Sequence, residues 1–218
     1  MKSFGLVFSC AAVLLVSSLG HTSPFAVIVF NPESWRTHPP ADWQVKVNRG
    51  RPEISGCQDG SGACVHLRSV KASFALEKGV DVDPYENRYL GWRWKVTDLP
   101  EGGDFRHAAT DDQAAQVMVA FADRKVLTYI WDSTAPKGTM QTASSLPLVH
   151  IYAVVCESGK TESNRWVAEL RDVATDYERA FGKPAPHVKG LRLQINSQHT
   201  GTTAESYFGE VVFRNQPQ

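Results

Sequence analysis

The sequence predicts an all-β protein: an antiparallel β-sandwich, jelly-roll-like in the manner of galactose-binding or lectin-like domains, with one short helix. Three observations predict it. About ten segments alternate apolar and polar residues with period two, the pattern of strands with one dry face and one wet face. One segment alone carries convincing helix-capping residues. Nowhere do strands alternate with helices as βαβ units would, which argues against parallel pairing and for sheets stacked face to face.

The N-terminus comes first. Lys2 precedes an apolar run from Phe4 to Leu15, and small residues follow at Ser18 and Gly20. This is the layout of a secretory signal peptide over residues 1–20, and the run is shorter than the ~20 residues of a membrane span. Residues 21–218 then make one β-sandwich domain, exported to the periplasm or secreted. No later segment is apolar enough to cross a membrane. The 23 Lys and Arg balance the 23 Asp and Glu, so no basic face points to nucleic acid.

Export changes how cysteines read. Cys57 and Cys64 bracket the turn-rich "QDGSGA", as a hairpin clipped by a disulfide would. Closing so short a loop is worth about 2–3 kcal/mol in the chain-entropy model. A metal site would need more ligands, and only His66 is near. Cys156 ends the run "VHIYAVVC" as a small buried hydrophobe.

The strands follow in order. "WQVKV", "CVHLRS" and "ASFALE" open the series. In "YLGWRWKV", Leu90, Trp92, Trp94 and Val96 alternate with Tyr89, Gly91, Arg93 and Lys95. An indole removes roughly 150–250 Å² from water when buried, so the two tryptophans decide which face turns inward. "AAQVMVAF" then sets Ala115, Val117, Val119 and Phe121 against Gln116 and Met118, and "VLTYIWD" sets Leu127, Tyr129 and Trp131 against Thr128, Ile130 and Asp132. These two read as a hairpin. "VHIYAVVC", "RWVAELRDV", "LRLQIN" and "SYFGEVVF" complete a count of nine to eleven strands. The helix lies at "DYERAFG", with Thr175 and Glu178 as a capping box and Gly182 as its C-terminal stop. Two long polar connections, 97–112 and 132–147, are of a length that is often functional.

In this order, "GWRWKV", "TDDQAAQVMVAF", "LTYIWD", "RDVATDYERAFG" and "LRLQINSQHTGTTAESYFGEVVF" resemble a bacterial exported family called domain of unknown function 3047, across roughly residues 65–214. The resemblance implies an exported β-sandwich and carries no assigned activity or catalytic residue. The family pattern has arginine where this chain has Gln116, and two aspartates in the stretch holding Asn196 and Gln198. If those aspartates held a cation such as structural calcium, amides would hold it more weakly; no cofactor is therefore expected.

Candidate ligand-binding residues come from the polar faces and the long loops. Arg93, Lys95, Gln116, Asp132, His150 and Arg171 would line a polar concavity if they shared one face. Asp111 and Asp112, below a loop with Asp104, His107 and Thr110, read either as a cation or acid/base pair or as turn aspartates bonded to backbone amides. Trp131 beside Asp132 could stack on a sugar ring, yet it falls in phase with Leu127 and Tyr129, which places it in the core. His150 and His199 stand outside any metal-ligand spacing. No G-x-S-x-G, H-E-x-x-H, Walker or dinucleotide motif occurs. The residues thus point to a non-catalytic module binding carbohydrate or a related polar polymer. A glycan-active hydrolase or lyase using the loop carboxylates is the alternative, and a structural envelope protein the third reading.

Overall fold

The computed structural model describes residues 26–35, 39–143 and 149–217; the expected signal peptide lies outside them. Thirteen strands form two sheets among the described residues. One holds β11 (Val167–Asp172), β6 (Tyr89–Asp98), β13 (Thr203–Arg214), β4 (Gly62–Val70) and β3 (Glu53–Asp59) in that order. β1 (Ala26–Phe30) pairs with the C-terminal end of β13, beyond the reach of β4. The second sheet runs β2 (Gln44–Arg49), β5 (Ser73–Val82), β12 (Val188–Asn196), β7 (Ala115–Phe121), β8 (Lys125–Asp132), β10 (His150–Ser158) and β9 (Met140–Thr142).

The sheets meet where the alternation predicts. Leu90, Trp92, Trp94 and Val96 of β6 are buried against Val117 and Val119 of β7, Leu127, Tyr129 and Trp131 of β8, and Leu193 and Ile195 of β12. Trp94 and Trp131 are fully buried, with ring centroids 5.9 Å apart across the sandwich, and Trp92 lies 5.2 Å from Tyr129. A smaller apolar cluster of Phe105, Ile130, Ala135, Ala153 and Val155 sits on the other side of the seven-stranded sheet, under the long loops.

Two expectations are corrected. β8 and β10 pair in parallel. β10 begins at His150 beside Lys125, the starting end of β8, and β9 lies antiparallel on β10; a connection of a dozen or more residues is what parallel neighbours require. The helix α1 (Val173–Phe181) starts earlier than the capping box suggested: Asp172 is its N-cap and accepts from Thr175 N at 3.0 Å, while Thr175 Oγ1 accepts from Arg88. Gly182 closes it in the left-handed conformation, φ 69°, which a residue without Cβ adopts without strain. On β11 the inward face is Val167, Glu169 and Arg171, whereas Leu170 is exposed. This edge strand meets polar groups of β10 and α1 at the open side of the sandwich, so charge turns inward.

Cys57 and Cys64 are joined by a disulfide and face each other across the β3–β4 hairpin. Pairing continues inside the ring to Asp59 and Gly62, where Asp59 Oδ1 accepts from Ser61 N at 2.8 Å. Cys156 is a free, buried thiol.

Replacing Trp94 by Ala removes one of the two inward indoles of β6, the one fully buried. Chemical unfolding should show a loss of about 3–5 kcal/mol for Trp94→Ala, against less than about 0.5 kcal/mol for Leu170→Ser at the exposed edge.

Candidate functional site

The alternation that buries the aromatics leaves the other face of the seven-stranded sheet to the residues between them. Cross-strand register orders that face into rows. One row runs Glu77, Arg192, Met118, Thr128 and Ala153; the next runs Ala75, Gln194, Gln116, Ile130 and Val155. Polar side chains therefore sit on β5, β12 and β7, and small or apolar ones on β8 and β10. Two adjoining hollows share Met118 and Ile151 and make one groove along this face.

The larger hollow, about 520 Å³, has a floor of Gly79, Gly190 and Ala120 and a charged wall. Its charges are mutually neutralised: Arg192 Nη2 meets Glu77 Oε2 at 2.6 Å, Lys189 meets Asp81 at 2.7 Å, and Lys78 pairs with Asp42.

The smaller hollow, about 240 Å³, lies between the loop carrying Phe105, Asp111 and Gln113 and the loop carrying Gln198 and His199. Six side-chain amides line it: Asn48, Gln113, Gln116, Gln194, Asn196 and Gln198. Asn196 ties sheet to loop, since its Oδ1 accepts from Gln113 N at 2.9 Å and from Gln116 Nε2 at 2.7 Å, and its Nδ2 donates to the Asp111 carbonyl at 2.8 Å. Two of the positions singled out through the resemblance, 116 and 196, are thus one contact. Gln194 accepts weakly from Arg192 at 3.4 Å through Oε1, which leaves its Nε2 for the pocket. Thr128 Oγ1 and Gln198 Oε1 are buried without a protein hydrogen-bond partner.

Of the residues singled out from the sequence, Asp111 and Gln116 line this groove. Burial raises the Asp111 carboxyl above its usual range and Asp112 adds to the rise, against a hydrogen bond from Gln113 and the charge of His199. Asp112 is fully buried; its Oδ2 accepts from Thr200 N at 2.7 Å and so fastens one pocket loop to the other. Asp132 is also fully buried. It accepts from Phe105 N, Thr134 N and Ala135 N at 2.8–3.0 Å, positioning Phe105, while burial raises its carboxyl. Trp131 packs in the core and donates from Nε1 to the Gly159 carbonyl at 3.0 Å.

The shared face expected for the others is corrected. Arg93 and Lys95 lie on the outward side of the opposite sheet. There the Lys95 ammonium sits 4.5 Å from the Tyr207 ring and 5.2 Å from the Trp166 ring, and it donates to Asp59 at 2.9 Å. That bond, first among several, holds Asp59 at about 2. Arg93 lies over Trp166 at 4.9 Å and crosses Gly209, where a Cβ would come within 2.4 Å of its Nε. His150 is exposed beside Lys125 and Phe181, away from the groove. Arg171 points between the sheets, paired with buried Asp176 at 2.8 and 2.9 Å and lying over Tyr129 at 5.6 Å. Period two assigns a residue to a face of its own sheet; it does not say which sheet that is. Glu77, Arg192, Gln194 and Thr128 were missed as site residues for the same reason, although their phase relative to Leu76, Leu193 and Tyr129 was readable. No group of three His, Cys, Asp or Glu placed to hold a metal occurs among the described residues.

Two sheets stacked on an aromatic core, with a groove on an outer face, define a β-sandwich. The chain belongs to the family described as "Protein of unknown function (DUF3047)", which matches residues 41–212. No curated protein matches the sequence. Among solved structures it is similar to the endoglucanase cel12A from Rhodothermus marinus, at 10% identity and TM-score 0.48, over 87% of this chain and 99% of that one. It is similar to the family 11 carbohydrate-binding module of Lic26A-Cel5E from Clostridium thermocellum, at 5% identity and TM-score 0.45, over 88% and 95%. It is also similar to the enzymatically active domain of bacteriophage CBA120 tailspike protein 4, at 10% identity and TM-score 0.40, over 80% of this chain and 19% of that one, so the chain spans about a fifth of the tailspike domain.

The charged cluster beneath β11 yields a pH dependence. Glu169 is raised from 4.5 to about 7, first by burial and then by the charge of Glu157, against Lys137 and Arg171. A folded pKa above the unfolded one means the folded chain holds the extra proton between those values. This contribution is full below about 4.5 and is lost as pH rises through 7. Glu169→Gln should therefore gain stability over wild type at pH 8, on the order of 2 kcal/mol after allowance for its partial exposure, with little gain at pH 5. Thermal unfolding at the two pH values checks it.

Proposed function

We propose that the protein is an exported, non-catalytic binding module for carbohydrate or a related polar polymer, held along the groove of the seven-stranded sheet. The observation that carries the reading is the set of six amides around the smaller hollow. A sugar hydroxyl both donates and accepts, and a carboxamide answers both demands without bringing a charge. Ion pairing within the larger hollow likewise leaves little net field to select a charged polymer. The Cys57–Cys64 disulfide supports export, because such bonds persist in oxidising compartments.

A glycan-active enzyme is the second reading, favoured by one observation: the Asp111 carboxyl lies in the pocket with its pKa raised. A glycosidase pair needs its carboxyl groups roughly 5–9.5 Å apart. Of the other groove carboxylates, Asp42 pairs with Lys78 and Glu77 stands opposite Arg192, while Asp111 is tied to Asn196. Those anchor residues are four positions apart on β12, about 13 Å at strand rise. Glu77 is also engaged by Arg192 and Lys46. Binding without turnover is the better account.

A panel of soluble neutral glycans tests this by thermal shift and calorimetry. Gln194→Ala and Gln198→Ala should each weaken binding roughly tenfold, the worth of one or two hydrogen bonds, and Lys95→Ala should leave it unchanged. No new reducing ends should appear over days. Cleavage abolished by Asp111→Asn would favour the enzyme, and a panel without a single binder would defeat both readings.

A further inference from the structure

The smaller hollow is divided in two. On one side stand the amides; on the other, Phe105, Ile130, Ala143, Ile151 and Ala153 form a small apolar wall. Thr128 sits on the seam, between Met118 of β7 and Ala153 of β10. It is 4% exposed, and its hydroxyl is bonded to no protein atom. A buried hydroxyl left unpaired costs free energy, so this group marks a point where a ligand atom completes the site. The Oε1 of Gln198, which also lines the hollow, is likewise buried and unpaired.

Three features restrict the ligand. Neither Lys nor Arg lines the hollow; its imidazole, His199, faces buried Asp112 at 3.5 Å, and Asp111 lines it too, so a sugar carboxylate or sulfate finds no free counter-charge there. Trp and Tyr are also absent from the lining among the described residues, so no broad ring platform is offered to a pyranose face. What is offered is a patch of methyl and methylene groups beside an unpaired hydroxyl and a row of amides. The volume of about 240 Å³ equals roughly eight waters at ~30 Å³ each, which suits one sugar residue.

Resting on the binding reading above, we infer that the smaller hollow selects a neutral N-acetylated sugar residue. Its acetamido carbonyl accepts from the Thr128 hydroxyl, its methyl covers Ile130 and Ala153, and its N–H and ring hydroxyls reach the amides. A plain hexose lacks the methyl and leaves the apolar wall wet. An amino sugar without the acetyl group brings a cation that the apolar wall desolvates.

Three β-1,4-linked tetrasaccharides that differ only at the 2-position separate the possibilities: tetra-N-acetylchitotetraose, cellotetraose and the de-N-acetylated chitosan tetramer, each titrated calorimetrically into the protein. The N-acetylated tetramer should bind at least tenfold tighter than cellotetraose. Thr128→Val, of the same shape without the hydroxyl, should lose roughly tenfold for the N-acetylated tetramer alone, and Thr128→Ser should retain the preference and report that the site still folds. Cellotetraose or the chitosan tetramer binding as tightly, or Thr128→Val without effect on the preference, overturns the inference and leaves the groove as a glycan site. Failure of all three tetramers while another neutral glycan binds does the same. Failure of every glycan removes both readings together.

Discussion

A ladder of aromatic rings passes from one sheet to the other, and the rest of the molecule is arranged around it. Trp92 and Trp94 meet edge to face at 5.4 Å, Trp92 reaches Tyr129 at 5.2 Å, and Trp94 reaches Trp131 at 5.9 Å and Phe208 at 6.5 Å. Each ring buries more apolar area than any aliphatic neighbour, and off-face pairs of this kind add favourable energy beyond area alone. A one-residue slip in β6 or β8 would put these rings in water and their polar neighbours in the core. The ladder therefore sets the phase of both strands. Through the register of β7, β12 and β5, it also sets which side chains face the groove.

This constraint explains what could be read from the sequence and what could not. Alternation around Trp94, Val117, Leu127 and Leu193 gives the strands and their buried faces, because burial acts residue by residue along a strand. Sheet membership depends on which strands pair, and that is decided by contacts distant in sequence. Arg93 and Gln116 both occupy the wet phase of an aromatic-rich strand, yet β6 and β7 belong to different sheets. Likewise the parallel β8–β10 pair depends on the path of 133–149, and a polar loop carries no periodic signal about where it returns. On β11 the alternation of Trp166, Ala168 and Leu170 with Val167, Glu169 and Arg171 does not name the inward face. Leu170 lies outward and Glu169 inward, because Lys137 and Arg171 supply charge at the sheet edge that a periodicity rule does not see.

The acidic residues that looked like chemistry turn out mostly to shape the walls. Asp112 accepts the Thr200 backbone N–H, Asp132 accepts three more, and Asp104 is held at about 2, first by Arg106. Buried carboxylates that accept backbone N–H groups order loops without ladder hydrogen bonds, and this is how Asp112 and Asp132 hold the segments of Thr200 and Phe105 beside the hollow. Asp111 differs because its carboxylate accepts only the Gln113 side chain, with His199 near by.

The Gln116–Asn196 contact shows why the hollow can be neutral and still rigid. The resemblance implies an arginine at position 116 and aspartates in the stretch holding Asn196 and Gln198. Here two amides meet at 2.7 Å, both are at most 5% exposed, and Asn196 keeps its remaining bonds to Gln113 and Asp111. A buried contact between neutral partners needs no counter-charge, whereas a charge placed on one of them alone would be stranded. The structural tie between sheet and loop is made without adding a field to the pocket. A ligand recognised there must be distinguished by hydrogen-bond pattern and shape, since the walls of that pocket carry little charge with which to attract it.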